Sequence, residues 1–251
     1  MSNLHICRDQ QDLYHQAAAL FTRLANEAIA THGRFTVALS GGSTPKEVHT
    51  LLAQRDTRTQ PLAWPLVHVF WGDERCVPPD HPDSNYRMAH ETLLAHVPVP
   101  AENIYRVHTE HPPQQAAEEY EQTLQTVFSL TADAVPQFDL VFLGMGPDGH
   151  TASLFPATTG LREEQRLVVA NYVEKFSAWR VTFTAKTINA AQHVVFLVSG
   201  ADKAVTLKDV LEGPHIPYQY PAQFIHPTHG TLVWLVDQAA AAQLTSLPGA
   251  H

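Results

Sequence analysis

The chain has 251 residues, of which 44% are hydrophobic, and this is enough for one α/β domain with a substantial core. Its formal net charge of −9 argues against nucleic acid or an anionic membrane surface as a partner. Two cysteines are too few for a disulfide framework, and residues 1–13 contain no apolar signal segment. We therefore predict a cytoplasmic protein whose residues 1–251 form a single domain, with no membrane-spanning segment.

Hydrophobic periodicity predicts alternating helices and strands along the chain. The first element is a helix over residues 11–30 that ends at Gly33. Strands are predicted at residues 35–40, 66–71, 138–143, 166–170, 180–184, 193–198 and 231–236. Helices are predicted at residues 45–54, 84–95, 113–130, 186–191, 201–212 and 237–245.

This alternation is typical of an α/β fold with a mostly parallel, helix-covered open sheet of Rossmann-like type. The region near residues 166–184 is an exception, because two strands lie there with only a short segment between them. We interpret that region as a small antiparallel insertion. Residues 245–251 are predicted to form a frayed tail.

A glycine pair follows the strand at 35–40 and precedes a helix. Gly41 and Gly42 allow close approach of a ligand, and the free N–H groups of a helix start favour a phosphate. Ser43 or Thr44 can cap the helix or bind a phosphate oxygen. A plain capped turn is the alternative interpretation, since neither a Walker loop nor a dinucleotide fingerprint is complete.

Charged residues follow the next strand, at 66–71. Asp73, Glu74 and Arg75 place two carboxylates and a guanidinium at its end, although such clusters are usually solvated. The adjacent Cys76 is a rival nucleophile, but no histidine lies near it in the sequence to activate its thiol. We expect water to be the nucleophile instead.

The segment 144–151 follows the strand at 138–143 and contains three glycines together with Asp148 and His150. Residues 151–154 look like the first turn of a helix, whose free N–H groups favour an anion and disfavour an imidazolium. An ordinary loop with a solvated histidine is the alternative. However, ligands of open α/β sheets bind beyond the carboxyl ends of the strands, so three such loops predict one shared cleft.

Several segments carry a resemblance that spans about residues 5–245. They are residues 41–43, 71–75, 84–86, 144–156, 179–182 and 200–204. Together they resemble the glucosamine-6-phosphate isomerase/6-phosphogluconolactonase family. Within it they are more similar to the lactonases, because the deaminases typically carry tyrosine at the position of Arg75 and an Ala-Phe-Asn-Glu-Pro type sequence at 152–156.

The resemblance implies hydrolysis of 6-phospho-D-glucono-1,5-lactone to 6-phospho-D-gluconate, with no metal and no organic cofactor. It implies that His150 is the base that activates water. Either Asp148 or Asp73 orients the imidazole or binds sugar hydroxyls, and Asp148 is the nearer partner in the local turn. Arg75 holds either the phosphate or the oxyanion, and its alternative is a surface ion pair with Glu74 or Asp73.

The same resemblance places the substrate's phosphate on a small set of glycine, hydroxyl and cationic groups, namely Gly41, Gly42, Ser43, Arg180 and Lys203. The expected partner is therefore a small phosphosugar lactone, bound by a monomer or small homo-oligomer. A metal is not expected, because the histidine pairs at 108/111 and 226/229 lack a carboxylate or cysteine set in the sequence. The alternative functions are an amino-sugar phosphate deaminase or isomerase, and a non-catalytic sugar-phosphate sensor.

Overall fold

Nine strands form two sheets in the described part of the chain, residues 3–54 and 61–245 of a computed structural model. The strands are β1 (Asn3–Cys7), β2 (Phe35–Leu39), β3 (Val67–Trp71), β4 (Asp73–Arg75), β5 (Leu140–Gly144), β6 (Val168–Val173), β7 (Ala178–Phe183), β8 (His193–Val198) and β9 (Thr231–Asp237).

The helices that connect these strands are α1 (Gln10–His32), α2 (Ser43–Ala53), α3 (Asn85–Ala89), α4 (Pro113–Val127), α5 (Ala185–Asn189) and α6 (Ala204–Glu212). A π-helical turn at His90–Leu94 continues α3, and a 3₁₀ turn at Ala201–Lys203 precedes α6. No helix in the ranges 3–54 and 61–245 is both long and apolar enough to cross a membrane.

The larger sheet has the strand order β1-β9-β8-β5-β2-β3, and every neighbouring pair is parallel. This confirms the predicted parallel sheet. Its central strands are covered on both faces, as the fully buried residues of β2 show. β2 is followed in the chain by its neighbour β3, whereas β5 is followed in this sheet by β8 on the opposite side. The connections after β2 and β5 therefore diverge and leave a crevice between them, which is where such sheets bind ligands.

The two faces of the larger sheet pack against different elements. Phe35 and Phe142 face α1, where Phe21 contacts both rings, and this side includes α2. The opposite side faces α4, α6 and the smaller sheet, and includes the stacked rings of Phe196 and Trp234. A helix layer therefore lies on each side of the sheet, which positions the strand ends rigidly.

The smaller sheet is antiparallel and has the order β4-β7-β6. The hairpin of β6 and β7 confirms the predicted insertion near 166–184. The third strand, β4, is not predicted from the sequence, which indicates only a charged cluster at the end of the preceding strand. Pairing of β4 with β7 sets Arg75 opposite Arg180.

Two further elements differ between the sequence-based prediction and the structure. β1 was not predicted, and the predicted helix at 237–245 is a series of turns. The carboxylate of Asp237 accepts hydrogen bonds from the N–H groups of Ala240 (2.7 Å) and Gly200 (3.0 Å), and this fixes a turn at the end of β9. The predicted tail lies, apart from Thr245, outside the described residues, and the single domain over 1–251 stays a prediction.

His49 is a polar exception in the core beside α1. Its side chain on α2 is fully buried, and neither ring nitrogen has a hydrogen-bond partner among the described residues. Burial lowers the pKa of His49 from 6.5 to about 4, because charging the ring there would leave an ion without water.

We expect this histidine to make the protein acid-sensitive. Between pH 6.5 and about 4 the unfolded chain binds a proton that the folded chain does not, so stability falls as pH falls through this window. The loss attributable to His49 is about 3 kcal/mol. Urea unfolding at neutral and acidic pH measures it. His49→Leu should lose less stability on acidification than wild type. The control His15→Gln, at an exposed site, should lose as much as wild type. Equal acid sensitivity of His49→Leu and wild type would contradict the assignment of the loss to His49.

Candidate active site

A cleft of about 710 Å³ lies at the carboxyl ends of β2, β5 and β8 and beside β4. It brings together most of the residues predicted from sequence, because its lining includes Gly41, Gly42, Ser43, Asp73, Arg75, His150 and Lys203. Two predicted residues are not part of the lining but neighbour residues that are: Asp148 contacts His150, and Arg180 lies opposite Arg75. The predicted cleft is formed by the loops after three strands. In the structure the loop after β8 also lines the cleft.

His150 and Asp148 form a hydrogen-bonded pair through Nδ1 of the imidazole and Oδ1 of the carboxylate. Burial opposes the charge on Asp148, but the hydrogen bonds from His150 and Lys175 outweigh it and hold the pKa of this carboxyl well below its usual range. An ionised Asp148 has no proton to donate, so it accepts a hydrogen bond from Nδ1–H of the ring. The arrangement therefore leaves Nε2 as the ring nitrogen that can accept a proton.

The turn that carries this pair requires glycine at two positions. A Cβ atom at Gly146 would overlap the imidazole of His150, so only glycine lets the ring lie against the backbone there. Gly149 has a φ of +73°, a left-handed conformation that favours glycine. The backbone N–H of Gly146 also donates to the carbonyl of His150 (2.9 Å), which closes the turn.

Residues 151–154 do not form the predicted helix start. They form a tight turn in which Ala152 has a φ of +47°. The N–H of Ser153 donates to the hydroxyl of Thr182 (3.2 Å), and its carbonyl accepts from the side chain of Asn171 (2.8 Å). The smaller sheet thus uses backbone groups that a helix would need, and the expected helix-dipole effect on the imidazole is absent.

The two candidate carboxylates have different partners. Asp148 contacts the imidazole, whereas Asp73 is 8% exposed and accepts a 2.6 Å hydrogen bond from the hydroxyl of Ser153 through Oδ2. Asp73 still lines the cleft. In the structure, Asp148 is therefore the partner of the imidazole, and Asp73 lines the cleft in a position fixed by Ser153. No role for Ser153 is predicted from the sequence.

Glu74 is a buried structural residue and not part of a solvated cluster. Its carboxylate accepts hydrogen bonds from the N–H groups of Arg75 (2.7 Å), Asn85 (2.8 Å) and Tyr86 (2.8 Å) and from the hydroxyl of Ser84 (3.2 Å). Burial raises the pKa of Glu74, and the three backbone donors oppose that rise. Glu74 thus accepts hydrogen bonds from N–H groups at the start of α3, which have no partner within the helix, and fixes this helix against β4.

Asn85 connects the glycine loop to β4. Its side-chain amide donates to the carbonyl of Asp73 (2.9 Å), and a Cβ atom at Gly41 would overlap the same amide group. Gly41 is therefore needed for close packing against α3. This contact is not predicted from the sequence, because nothing local in the sequence pairs the two loops.

Arg75 and Arg180 form a second cationic part of the site. Arg75 donates to the carbonyl of Asp83 (2.7 Å) and Arg180 to the carbonyl of Trp179 (3.2 Å). Neither guanidinium forms an ion pair with a carboxylate within residues 3–54 and 61–245, so the alternative of a surface ion pair with Glu74 or Asp73 is wrong. Burial and the charge of Arg75 lower the pKa of Arg180. Like charges opposite each other destabilise a sheet, and an anion between them would relieve this.

The other cationic part lies between α2 and the loop after β8. Gly42 is the N-cap of α2, with a φ of 102° and no side-chain cap, so neither Ser43 nor Thr44 caps the helix. Pro45 has no N–H, and the N–H of Lys46 donates to the carbonyl of Gly42 (3.1 Å). The N–H groups of Ser43 and Thr44, which no side chain caps, are therefore the ones that a ligand can bind. Lys203 lies at the same cleft and pairs with the exposed Asp202 (2.8 Å).

Two further expectations concerned cysteine and metal. Burial raises the pKa of Cys76 to about 11, so little of its thiol is the reactive thiolate at neutral pH. Glu119 contacts His111 (2.8 Å) and lies 3.7 Å from His108, so a carboxylate does accompany that pair, contrary to the sequence analysis. Among the described residues, no group of three or more His, Cys, Asp or Glu side chains is arranged to hold a metal ion.

The fold and the cleft define an α/β enzyme whose cleft contains a histidine in contact with an aspartate, together with cationic side chains. The sequence pattern of the family "Glucosamine-6-phosphate isomerases/6-phosphogluconolactonase" matches residues 8–234, and the chain belongs to this family. It is 45% identical to a 6-phosphogluconolactonase of Nostoc sp. over 243 residues (96% of this chain, 98% of the relative). It is 46% identical to a 6-phosphogluconolactonase of Synechocystis sp. over 237 residues (94% and 95%). The solved 6-phosphogluconolactonase of Trypanosoma brucei superimposes with a TM-score of 0.85 at 28% identity (98% and 99%).

Proposed function

We propose that this chain hydrolyses 6-phospho-D-glucono-1,5-lactone to 6-phospho-D-gluconate in the oxidative pentose phosphate pathway. The observation that carries the proposal is the His150–Asp148 pair, which faces the same cleft as the free helix start of α2 and Lys203. Relatives named for this activity match almost the whole length of the chain. We further propose that it acts in the cytoplasm, as its two cysteines predict, and as a monomer or small homo-oligomer.

His150 activates the attacking water. Nε2 accepts a proton as the water oxygen bonds to C1 of the lactone, and the carbonyl becomes a tetrahedral alkoxide. The ionised Asp148 stabilises the imidazolium without itself taking the proton. When the C1–O5 bond breaks, the imidazolium returns its proton to O5, which leaves as the hydroxyl of 6-phosphogluconate.

The remaining residues bind and stabilise. Arg75 lines the cleft with a permanent positive charge, and we assign it to the developing oxyanion. Asp73, fixed through one oxygen by Ser153, can accept a hydrogen bond from a sugar hydroxyl through the other. The phosphate is assigned to Gly41, Gly42, Ser43 and Lys203, and to Arg180, which lies opposite Arg75 in the smaller sheet.

An assay with two substrates tests this function. Purified protein should accelerate loss of the lactone above its spontaneous hydrolysis, measured by acid release at neutral pH, and should release no ammonia from glucosamine 6-phosphate. The amino sugar is the matched control, because related enzymes of this fold act on it. Ammonia release without lactone hydrolysis would favour the deaminase function, and binding without turnover of either compound would favour a sensor.

A further inference from the structure

The tip of the β6–β7 hairpin, residues 174–177, lies against the His150–Asp148 pair. Val173 and Ala178 are the last paired residues of the two strands, so the tip is a short loop. It is closed by a 3.0 Å hydrogen bond from the N–H of Ser177 to the carbonyl of Glu174, with Ser177 at a φ of +48°. A turn tied in this way presents its side chains in a fixed direction.

Lys175 of this tip holds the oxygen of Asp148 that the histidine does not use. Its Nζ lies 2.9 Å from Oδ2, while Oδ1 accepts the hydrogen bond from His150. The carboxylate is therefore fixed at both oxygens. A carboxylate held at one oxygen can rotate about its Cβ–Cγ bond and take the imidazole with it, whereas one held at both cannot.

Phe176 of the same tip supports the imidazole indirectly, through Phe155. Phe155 stacks on the ring of His150 with a centroid separation of 3.9 Å, and Phe176 packs edge-on against Phe155 at 5.6 Å. Phe176 is 48% exposed, so its burial contributes little to the core. Adjacent residues of one loop thus contact both the acceptor of the imidazole and the ring on which it stacks.

Folding stability alone does not explain the Lys175–Asp148 contact. The lysine side chain is 55% exposed, and exposed ion pairs contribute little to stability because water screens them and the long side chain loses freedom. The contact does, however, help to hold the pKa of Asp148 low, which keeps the carboxylate ionised. The Lys175–Asp148 contact therefore acts mainly on the geometry and the charge of the His150–Asp148 pair.

We propose that Lys175 is a positioning residue for the hydrolysis, acting through Asp148 on the orientation of His150, with Phe176 supporting the ring through Phe155. This inference rests on the proposed function, because the orientation matters only when Nε2 faces a reacting water. It adds the hairpin tip to the machinery of the site, although no atom of the tip needs to touch the substrate.

Steady-state kinetics of variants test the inference. Lys175→Ala should lower kcat about 3- to 30-fold with KM nearly unchanged, the range seen for coupling between contacting residues. Lys175→Arg, which keeps a donor and the charge, should recover most of the loss. In an Asp148→Asn background, Lys175→Ala should cause no further loss, because the partner through which it acts is already altered. Lys186→Ala is the matched control, since this lysine also makes a single hydrogen bond, to the carbonyl of Gln165 (3.0 Å), away from the cleft.

A spectroscopic readout makes the inference independent of turnover. The imidazole N–H held by Asp148 should give a downfield proton resonance that Asp148→Asn removes, that Lys175→Ala broadens or shifts, and that Lys175→Arg and Lys186→Ala retain. An unchanged resonance and kcat in Lys175→Ala, or an equal loss of kcat in both backgrounds, would overturn the inference. A protein that shows the expected resonance changes but does not hydrolyse the lactone would instead overturn the proposed function and leave the positioning contact established.

Discussion

Replacement of His150 by alanine is expected to lower kcat for lactone hydrolysis by roughly 10²–10⁴-fold, the range for loss of a general base. The imidazole is held at Nδ1 by Asp148 and lines the cleft, so its other nitrogen is the acceptor available to a water. The groups assigned to the phosphate lie on other loops. Affinity for 6-phosphogluconate should therefore stay close to that of wild type, measured by calorimetry beside the kinetics.

His150→Gln separates proton transfer from positioning. The amide keeps a hydrogen-bonding group at this position but cannot take and return a proton, so this variant should be almost as slow as His150→Ala. Spontaneous hydrolysis of the lactone has to be subtracted before the rates are compared. Turnover by His150→Gln at nearly the wild-type rate would show that the ring only positions the substrate, and would make Asp73 the leading candidate for the base.

Lys203→Ala and Arg180→Ala are each expected to weaken binding of 6-phosphogluconate by about 1.5–3 kcal/mol, the usual contribution of a hydrogen bond to a charged group. This corresponds to a rise in Kd of roughly 10- to 150-fold. Lys203 has only the exposed Asp202 as an ion-pair partner among the described residues, and a phosphate can replace that partner. Arg180 lies opposite Arg75, and a bound phosphate would offset the repulsion between the two guanidinium groups.

A matched ligand distinguishes phosphate recognition from a general loss of the cleft. Gluconate lacks the phosphate, so its weaker binding should be nearly the same in both variants and in wild type. Lys186→Ala serves as the control for removal of a lysine. If both variants bind 6-phosphogluconate as wild type does, the phosphate lies elsewhere in the cleft.

The strands of the larger sheet were predictable because, β1 excepted, they are apolar runs separated by turn residues. β4 was not, because Asp73-Glu74-Arg75 has no apolar pattern, and its strand conformation depends on pairing with β7 far along the chain. The helix predicted at 237–245 follows from its alanine run, which has a high helix propensity. The hydrogen bonds that Asp237 makes to Ala240 and Gly200 override that local preference.

In the candidate site, too, local sequence features were predictable and contacts between distant segments were not. The rule that ligands bind at the carboxyl ends of strands identified the loops that meet in the cleft. The sequence alone does not decide whether Asp73 or Asp148 orients the imidazole of His150. Both follow strands, and the carboxyl ends of parallel strands lie at the same edge of a sheet. Ser153, Phe155 and Lys175 were missed because their contacts with Asp73, His150 and Asp148 depend on three-dimensional packing, and no local pattern reports them.

A crystal structure with bound 6-phosphogluconate tests the central claim most directly. The carboxylate carbon, C1, should lie within hydrogen-bond reach of Nε2 of His150 through one of its oxygens or a single water. The phosphate should lie at the start of α2 between Ser43 and Lys203, with Arg180 contributing from the side of β7. A ligand bound in the opposite direction, with its phosphate at His150 and C1 at Lys203, would contradict both the assignment of the base and the assignment of the phosphate site.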